Sequence, residues 1–134
     1  MAFQDLENAY DSVCRWKVWN ALERKGVESE TINRVKEIYD GSVGCVKVGR
    51  ERTDWFEQRS GLKQGSTLSP LLFIATMDEI STRVAEKMGD DKMKAMVFAD
   101  DLMVWGNKDE DIQEQLDAWE EIVEQYGMKF NVKP

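Results

Sequence analysis

Met96-Val97-Phe98-Ala99-Asp100-Asp101-Leu102-Met103-Val104-Trp105 sets two apolar runs on either side of a pair of adjacent aspartates. Two strand-like runs separated by two residues predict a β-hairpin, with Asp100 and Asp101 as its turn. The composition of that turn is costly. Two-residue hairpin turns need positive φ and favour Asn-Gly or Gly-X, whereas here no glycine relieves the backbone and two like charges sit side by side. A bound cation would turn this cost into a site. The plainer alternative is a turn that two acids keep solvated.

Downstream of the hairpin, Ile112, Leu116, Trp119 and Val123 recur at helical spacing. Residues 108 to 124 hold eight acids against Lys108, a charge of −7, which reads as the solvated face of an amphipathic helix. Gly127 ends it, and Met128 to Val132 follow as a last strand. Upstream, Ser69-Pro70 pairs an N-cap with proline at the first helical position. Phe73, Met77, Ile80, Val84 and Met88 then line one face of a helix that stops at Gly89.

Further towards the N-terminus, Val46 and Val48 and then Trp55 and Phe56 flank Gly49-Arg50-Glu51-Arg52, the composition of a second hairpin. Two helices precede it. One spans residues 12 to 25, from an N-cap at Ser12 through Val18 and Leu22 to Lys25-Gly26. The other begins at Ser29, places Ile32, Val35, Ile38 and Tyr39 on one face and stops at Gly41. Met1 to Leu6 opens the chain as a short strand. Strand, helices, hairpin, helix, hairpin, helix, strand describes an α+β fold, helices packed on an antiparallel sheet.

At 134 residues the chain has the length of one domain, so residues 1 to 134 are expected to form a single unit. Its 42% apolar content excludes wholesale disorder. No window approaches the roughly 20 apolar residues of a membrane span, and no leader opens the chain, so a soluble intracellular protein without a membrane partner is expected. Cys14 and Cys45 form neither a CxxC pair nor a disulfide framework and are expected to be reduced and buried. The absence of histidine removes the commonest general base and the commonest zinc ligand. Chemistry at neutral pH is left to carboxylates, other side chains or a hard metal such as magnesium. The net charge of −8 is opposite to a nucleic-acid footprint, although outside the acidic helix only −1 remains.

Asp5 closes the opening strand, where a central sheet would carry it beside Asp100 and Asp101. Three converging carboxylates would suit two magnesium ions about 3.5–4 Å apart, the arrangement for in-line phosphoryl transfer. The polar segment Gly61 to Pro70 leads into a helix N-terminus, whose free N–H groups favour phosphates. An ordinary capped helix start would explain Ser69 and Pro70 but not the spacing of Gly61 and Gly65.

Taken in order, these segments resemble the polymerase palm of reverse transcriptases. Phe3 to Asp11 looks like motif A, Gly61 to Phe73 like motif B, Phe98 to Asp101 like motif C and Gly127 to Asn131 like motif D. The likeness covers essentially the whole chain and is greatest to non-LTR (LINE-type) retrotransposon enzymes, with group II intron maturases next. It implies an RNA-directed DNA polymerase that uses two Mg²⁺ ions, for which Mn²⁺ can substitute. Asp5 and Asp100 would bind both ions, Asp101 would assist, and the carbonyl of Leu6 would complete a coordination shell. Tyr10 matches the aromatic gate under the deoxyribose, Gln64 and Gly65 match the loop at the incoming nucleotide, and Lys133 is the candidate for the motif D lysine.

Implied partners are dNTP and an RNA template with a DNA primer in a full-length context. The N-terminal part of the fingers and the thumb are absent from this stretch, so weak or no turnover is expected of it alone, together with self-association through the uncovered palm. Two alternatives stand beside this one. A non-catalytic, domesticated or truncated palm would serve as an interaction module, against which all three carboxylates speak. An RNA-templated RNA polymerase is disfavoured by Tyr10 and by Phe98-Ala99-Asp100-Asp101.

Overall fold

A computed structural model describes residues 1–131. Four strands form one sheet in the order β6 (Ala95–Phe98), β7 (Asp101–Val104), β1 (Ala2–Glu7) and β8 (Lys129–Phe130). Every neighbouring pair is antiparallel, so β1 runs parallel to β6, and β7 to β8. The connection from β7 to β8 is α5 (Asp109–Gln125). That from β1 to β6 holds α1 (Ala9–Ser12), α2 (Arg15–Arg24), α3 (Ser29–Tyr39), four two-residue strands and α4 (Ser69–Met88). The result is a pair of interleaved split β-α-β units with α+β character.

The period of two along the strands divides the sheet into unlike faces. Leu6, Leu102 and Val104 are buried on one face. They join Phe73, Met77, Ile80 and Val84 of α4, Trp119 and Val123 of α5, and Val18 and Leu22 of α2 in a single core. The other face carries Phe3, Asp5, Met96, Phe98, Asp101 and Met103, and the described residues leave it open. Among those residues no helix is long and apolar enough to cross a membrane.

The expected elements are present, with local corrections. The hairpin turn is Ala99-Asp100, because Phe98 pairs with Asp101. Ala99 takes the positive φ, at 52°. The shift leaves the inward set unchanged and places the Asp100 carbonyl where the Leu6 N–H donates to it at 3.0 Å. The helix expected from Ser12 starts at Arg15 behind Cys14, since Val13 is extended and Ser12 ends α1. The Cys14 N–H donates to the Tyr126 carbonyl at 2.8 Å, which pins that break.

On α3, Ile32 and Tyr39 are buried, as a seven-residue step demands, whereas Ile38 lies about 120° round the helix and is exposed. The second hairpin divides into two ribbons, β2 (Val43–Gly44) with β5 (Phe56–Glu57) and β3 (Lys47–Val48) with β4 (Glu51–Arg52), so its turn is Gly49-Arg50 alone. Ser69 is the first residue of α4 rather than its cap. Cys14 and Cys45 are free and half-buried. The last strand covers Lys129–Phe130 of the expected Met128 to Val132; Val132 lies outside the described residues.

Candidate active site at the hairpin tip

Asp5 and Asp101 stand directly opposite each other in the β1–β7 register. Cross-strand partners share a face, so both carboxylates lie on the open side of the sheet, one same-face step along from the Phe3–Met103 pair and with Phe98 opposite Asp101 on β6. They line one cavity of about 710 Å³ together with Phe3, Met96, Phe98 and Met103. The Asn131 N–H donates to the Asp5 carbonyl at 2.6 Å, which ties the neighbouring chain to the strand beside the acid. Leu6 buries its side chain and donates its N–H to the hairpin turn. In an antiparallel ladder a residue's N–H and C=O point to the same neighbour, so the Leu6 carbonyl also looks towards the hairpin tip.

Asp100 occupies the turn and is half-buried. Its charge acts on Tyr10, whose hydroxyl is pushed above the ordinary tyrosine value first by burial and then by Asp100. The Tyr10 ring stacks on Phe73 of α4 with 4.8 Å between centroids and an 18° tilt. The loop before α4 is fastened to the turn after Tyr10 by its backbone. The Leu62 N–H donates to the Tyr10 carbonyl, and the Gly61 N–H to the Val13 carbonyl at 2.9 Å. Gly61 has φ +80°, and a Cβ there would lie 2.6 Å from the Asp11 oxygen and 2.7 Å from that of Tyr10. Only glycine fits so close an approach. Further along, Gln64 Nε2 donates to Asp11 Oδ1 at 3.1 Å, while Gly65 is exposed with open space around it.

Adjacent acids at a hairpin tip with a positive φ, an aromatic ring that feels the charge of Asp100 and a glycine-dependent loop bonded to the turn after that ring make up one candidate site. Residues 1–133 match the family described as "Reverse transcriptase (RNA-dependent DNA polymerase)". The chain belongs to the reverse transcriptase family. Among similar proteins are the "Retrovirus-related Pol polyprotein from type-1 retrotransposable element R2" of Nasonia vitripennis, 33% identical over 97% of this chain and 13% of the relative, and its namesake in Popillia japonica, 29% identical over 96% of this chain and 19% of the relative. A "Retrovirus-related Pol polyprotein from type-2 retrotransposable element R2DM" of Drosophila melanogaster is 27% identical over 95% of this chain and 12% of the relative. The chain thus spans between 12% and 19% of the length of these relatives. Retrotransposon proteins were the kinship expected on sequence.

Members of the reverse transcriptase family use divalent metal ions, and the donor chemistry here agrees with that. Hard carboxylate oxygens suit Mg²⁺, and among the described residues no ion pair engages Asp5, Asp100 or Asp101. The shell is not closed, however. Among the described residues no three Asp, Glu, Cys or His side chains stand close enough to hold an ion together. Asp5 and Asp101 are cross-strand partners, whereas Asp100 belongs to the turn.

Gln64 turns to Asp11, and Lys133 lies outside the described residues. Sequence reasoning missed the support around these positions, namely Phe73 under Tyr10, Asp11 on Gln64, and Arg15, which bonds the Gly61 carbonyl. Phe73 was legible as a core position; the other two carry no pattern of their own.

Proposed function

We propose that this chain is the metal-binding palm of an RNA-directed DNA polymerase, a single palm domain whose fingers and thumb belong to a longer retrotransposon protein. The observation that carries it is the juxtaposition of Asp5 and Asp101 on the open sheet face with Asp100 in the adjoining turn, a turn bound to β1 through Leu6. In this reading Asp5, Asp100 and Asp101 hold two Mg²⁺ ions, which Mn²⁺ can replace, with the Leu6 carbonyl as a further oxygen donor. Bound there, the ions would activate a primer 3′-hydroxyl and stabilise the leaving pyrophosphate.

The chain's own residues position the reactants. Tyr10, stacked on Phe73 and within the field of Asp100, is the ring on which a deoxyribose would stack and a 2′-hydroxyl would be refused. Gln64 and Gly65 face the incoming nucleotide, and Lys133 is the candidate proton donor to pyrophosphate. The partners are dNTP, an RNA template and a DNA primer. A net charge of −8 means that the grip on template and primer comes from outside this chain.

Primer extension on an RNA template with dNTPs and Mg²⁺ or Mn²⁺ tests the reading, run beside the Asp100→Ala, Asp101→Ala double variant. Extension by the unaltered chain alone supports it. Extension of equal rate by both proteins overturns the assignment of these carboxylates.

A further inference from the structure

Arg15 is not among the residues that the family resemblance singles out, yet it joins three parts of the region around the site. It opens α2 directly after the Cys14 break. Its Nε donates to the Gly61 carbonyl at 2.8 Å and its Nη1 to the Tyr39 carbonyl at 3.1 Å, at the end of α3. The guanidinium also lies over the Tyr39 ring, 5.1 Å from its centroid. Tyr39 is 1% exposed, and its hydroxyl donates to Ser69 Oγ, which in turn donates to the Lys63 carbonyl. Lys63 closes the circuit by donating to the Ile38 carbonyl at 2.7 Å. The segment from Gly61 to Ser69 is therefore held at both ends by groups that converge on Arg15 and Tyr39, and its other side is bonded to the turn after Tyr10.

We propose that Arg15 is a positioning residue whose forked guanidinium sets the height of the Gly61–Gly65 loop above the Tyr10–Val13 turn, and so the place of Gln64 and Gly65 relative to Tyr10. A planar fork is required because two carbonyls on different elements accept from different nitrogens of one side chain. A lysine carries the same charge but offers one nitrogen, which can follow one carbonyl and release the other. The part of this inference that concerns nucleotide rests on the function proposed above.

The test has two readouts on the intact chain. The first is residue-resolved amide hydrogen exchange for the unaltered chain, Arg15→Met and Arg15→Lys. In Arg15→Met the Gly61 and Leu62 amides are expected to exchange about tenfold faster, while Leu102 and Val104 keep their protection. Arg15→Lys falls between. Should Arg15→Met fail to fold, Arg15→Lys against the unaltered chain decides. Unchanged exchange at Leu62 overturns the proposal, and so does full recovery by lysine, since a point charge would then suffice.

The second readout titrates each protein with dTTP and Mg²⁺ and follows the same amides. A midpoint about tenfold higher in Arg15→Met supports the link to nucleotide. An unmoved midpoint with loosened amides overturns that link. If dTTP leaves the unaltered chain's amides unchanged, the nucleotide site of the preceding proposal fails, and the first readout still judges Arg15.

Discussion

Two aspartates facing each other across a ladder are an unfavourable choice for stability alone. Like charges directly opposite on adjacent strands cost about 0.2–1 kcal/mol, and Asp5 and Asp101 have that placement. Asp101→Asn is therefore expected to raise stability by a few tenths of a kcal/mol in urea melts at low ionic strength. Magnesium is expected to narrow or reverse the difference, because it stabilises the paired carboxylates of the unaltered chain and not the amide. A loss of stability in Asp101→Asn without metal would mean that this carboxylate is a structural acceptor. The two loop glycines offer a second comparison. At Gly61 an added Cβ meets two backbone oxygens that cannot retreat, so Gly61→Ala is expected to cost about 2–4 kcal/mol. At Gly65, with φ +79° and open space, only the backbone conformation resists, and Gly65→Ala is expected to cost about 1 kcal/mol. Equal losses in chemical denaturation would show that the close approach at Gly61 is not what holds the loop.

Among the elements, α5 packs on α4, β7 and β8 and is followed by Tyr126, which is 1% exposed beside Arg24, Glu79 and Arg83. Burial raises the Tyr126 hydroxyl above its ordinary 10.0, Glu79 adds to the rise, and Arg83 and Arg24 oppose it. Folding thus favours the neutral phenol. Its contribution to stability is fully present below pH 10.0 and is lost as pH climbs through the higher folded value. Tyr126→Phe is expected to flatten the decline of urea midpoints above pH 10, leaving the slope due to Tyr10, which is shifted in the same direction. Parallel declines in the two proteins would count against it. The same elements show what the sequence could disclose. The face of α4 and the hairpin were legible because Phe73 to Val84 and Met96 to Val104 carry their own period. The one-turn helix α1, the break at Val13 and the place of Ser69 were not. They are fixed by bonds between distant residues, Cys14 to Tyr126, Arg15 to Gly61 and Tyr39 to Ser69, and no local pattern encodes such partners. The turn at Ala99-Asp100 was misplaced by one residue because both turn choices bury the same side chains; the β6–β7 register, the positive φ of Ala99 and the bond from Leu6 separate them.

For the molecule as a whole, a contact effect and a long-range one oppose each other at the open sheet face. Phe98 is 78% exposed, Phe3 71% and Met96 60%, on one side of one sheet. An apolar surface of that kind favours burial against another surface, and a second copy of the chain supplies one. The net charge of −8 acts the other way, since every approaching copy carries the same sign. Which effect wins depends on screening, because the Debye length falls from about 30 Å at 0.01 M salt to about 3 Å at 1 M while apolar burial is not screened. Sedimentation velocity is therefore expected to find monomer at about 0.01 M salt and concentration-dependent association at about 0.5 M. The Phe3→Ser, Phe98→Ser variant is expected to stay monomeric at both, with its fold kept because neither side chain belongs to the core. Association that weakens as salt rises would instead point to contacts between unlike charges, such as the acidic face of α5 against the basic residues near Arg50 and Arg52, and the sheet face would then have no part in it.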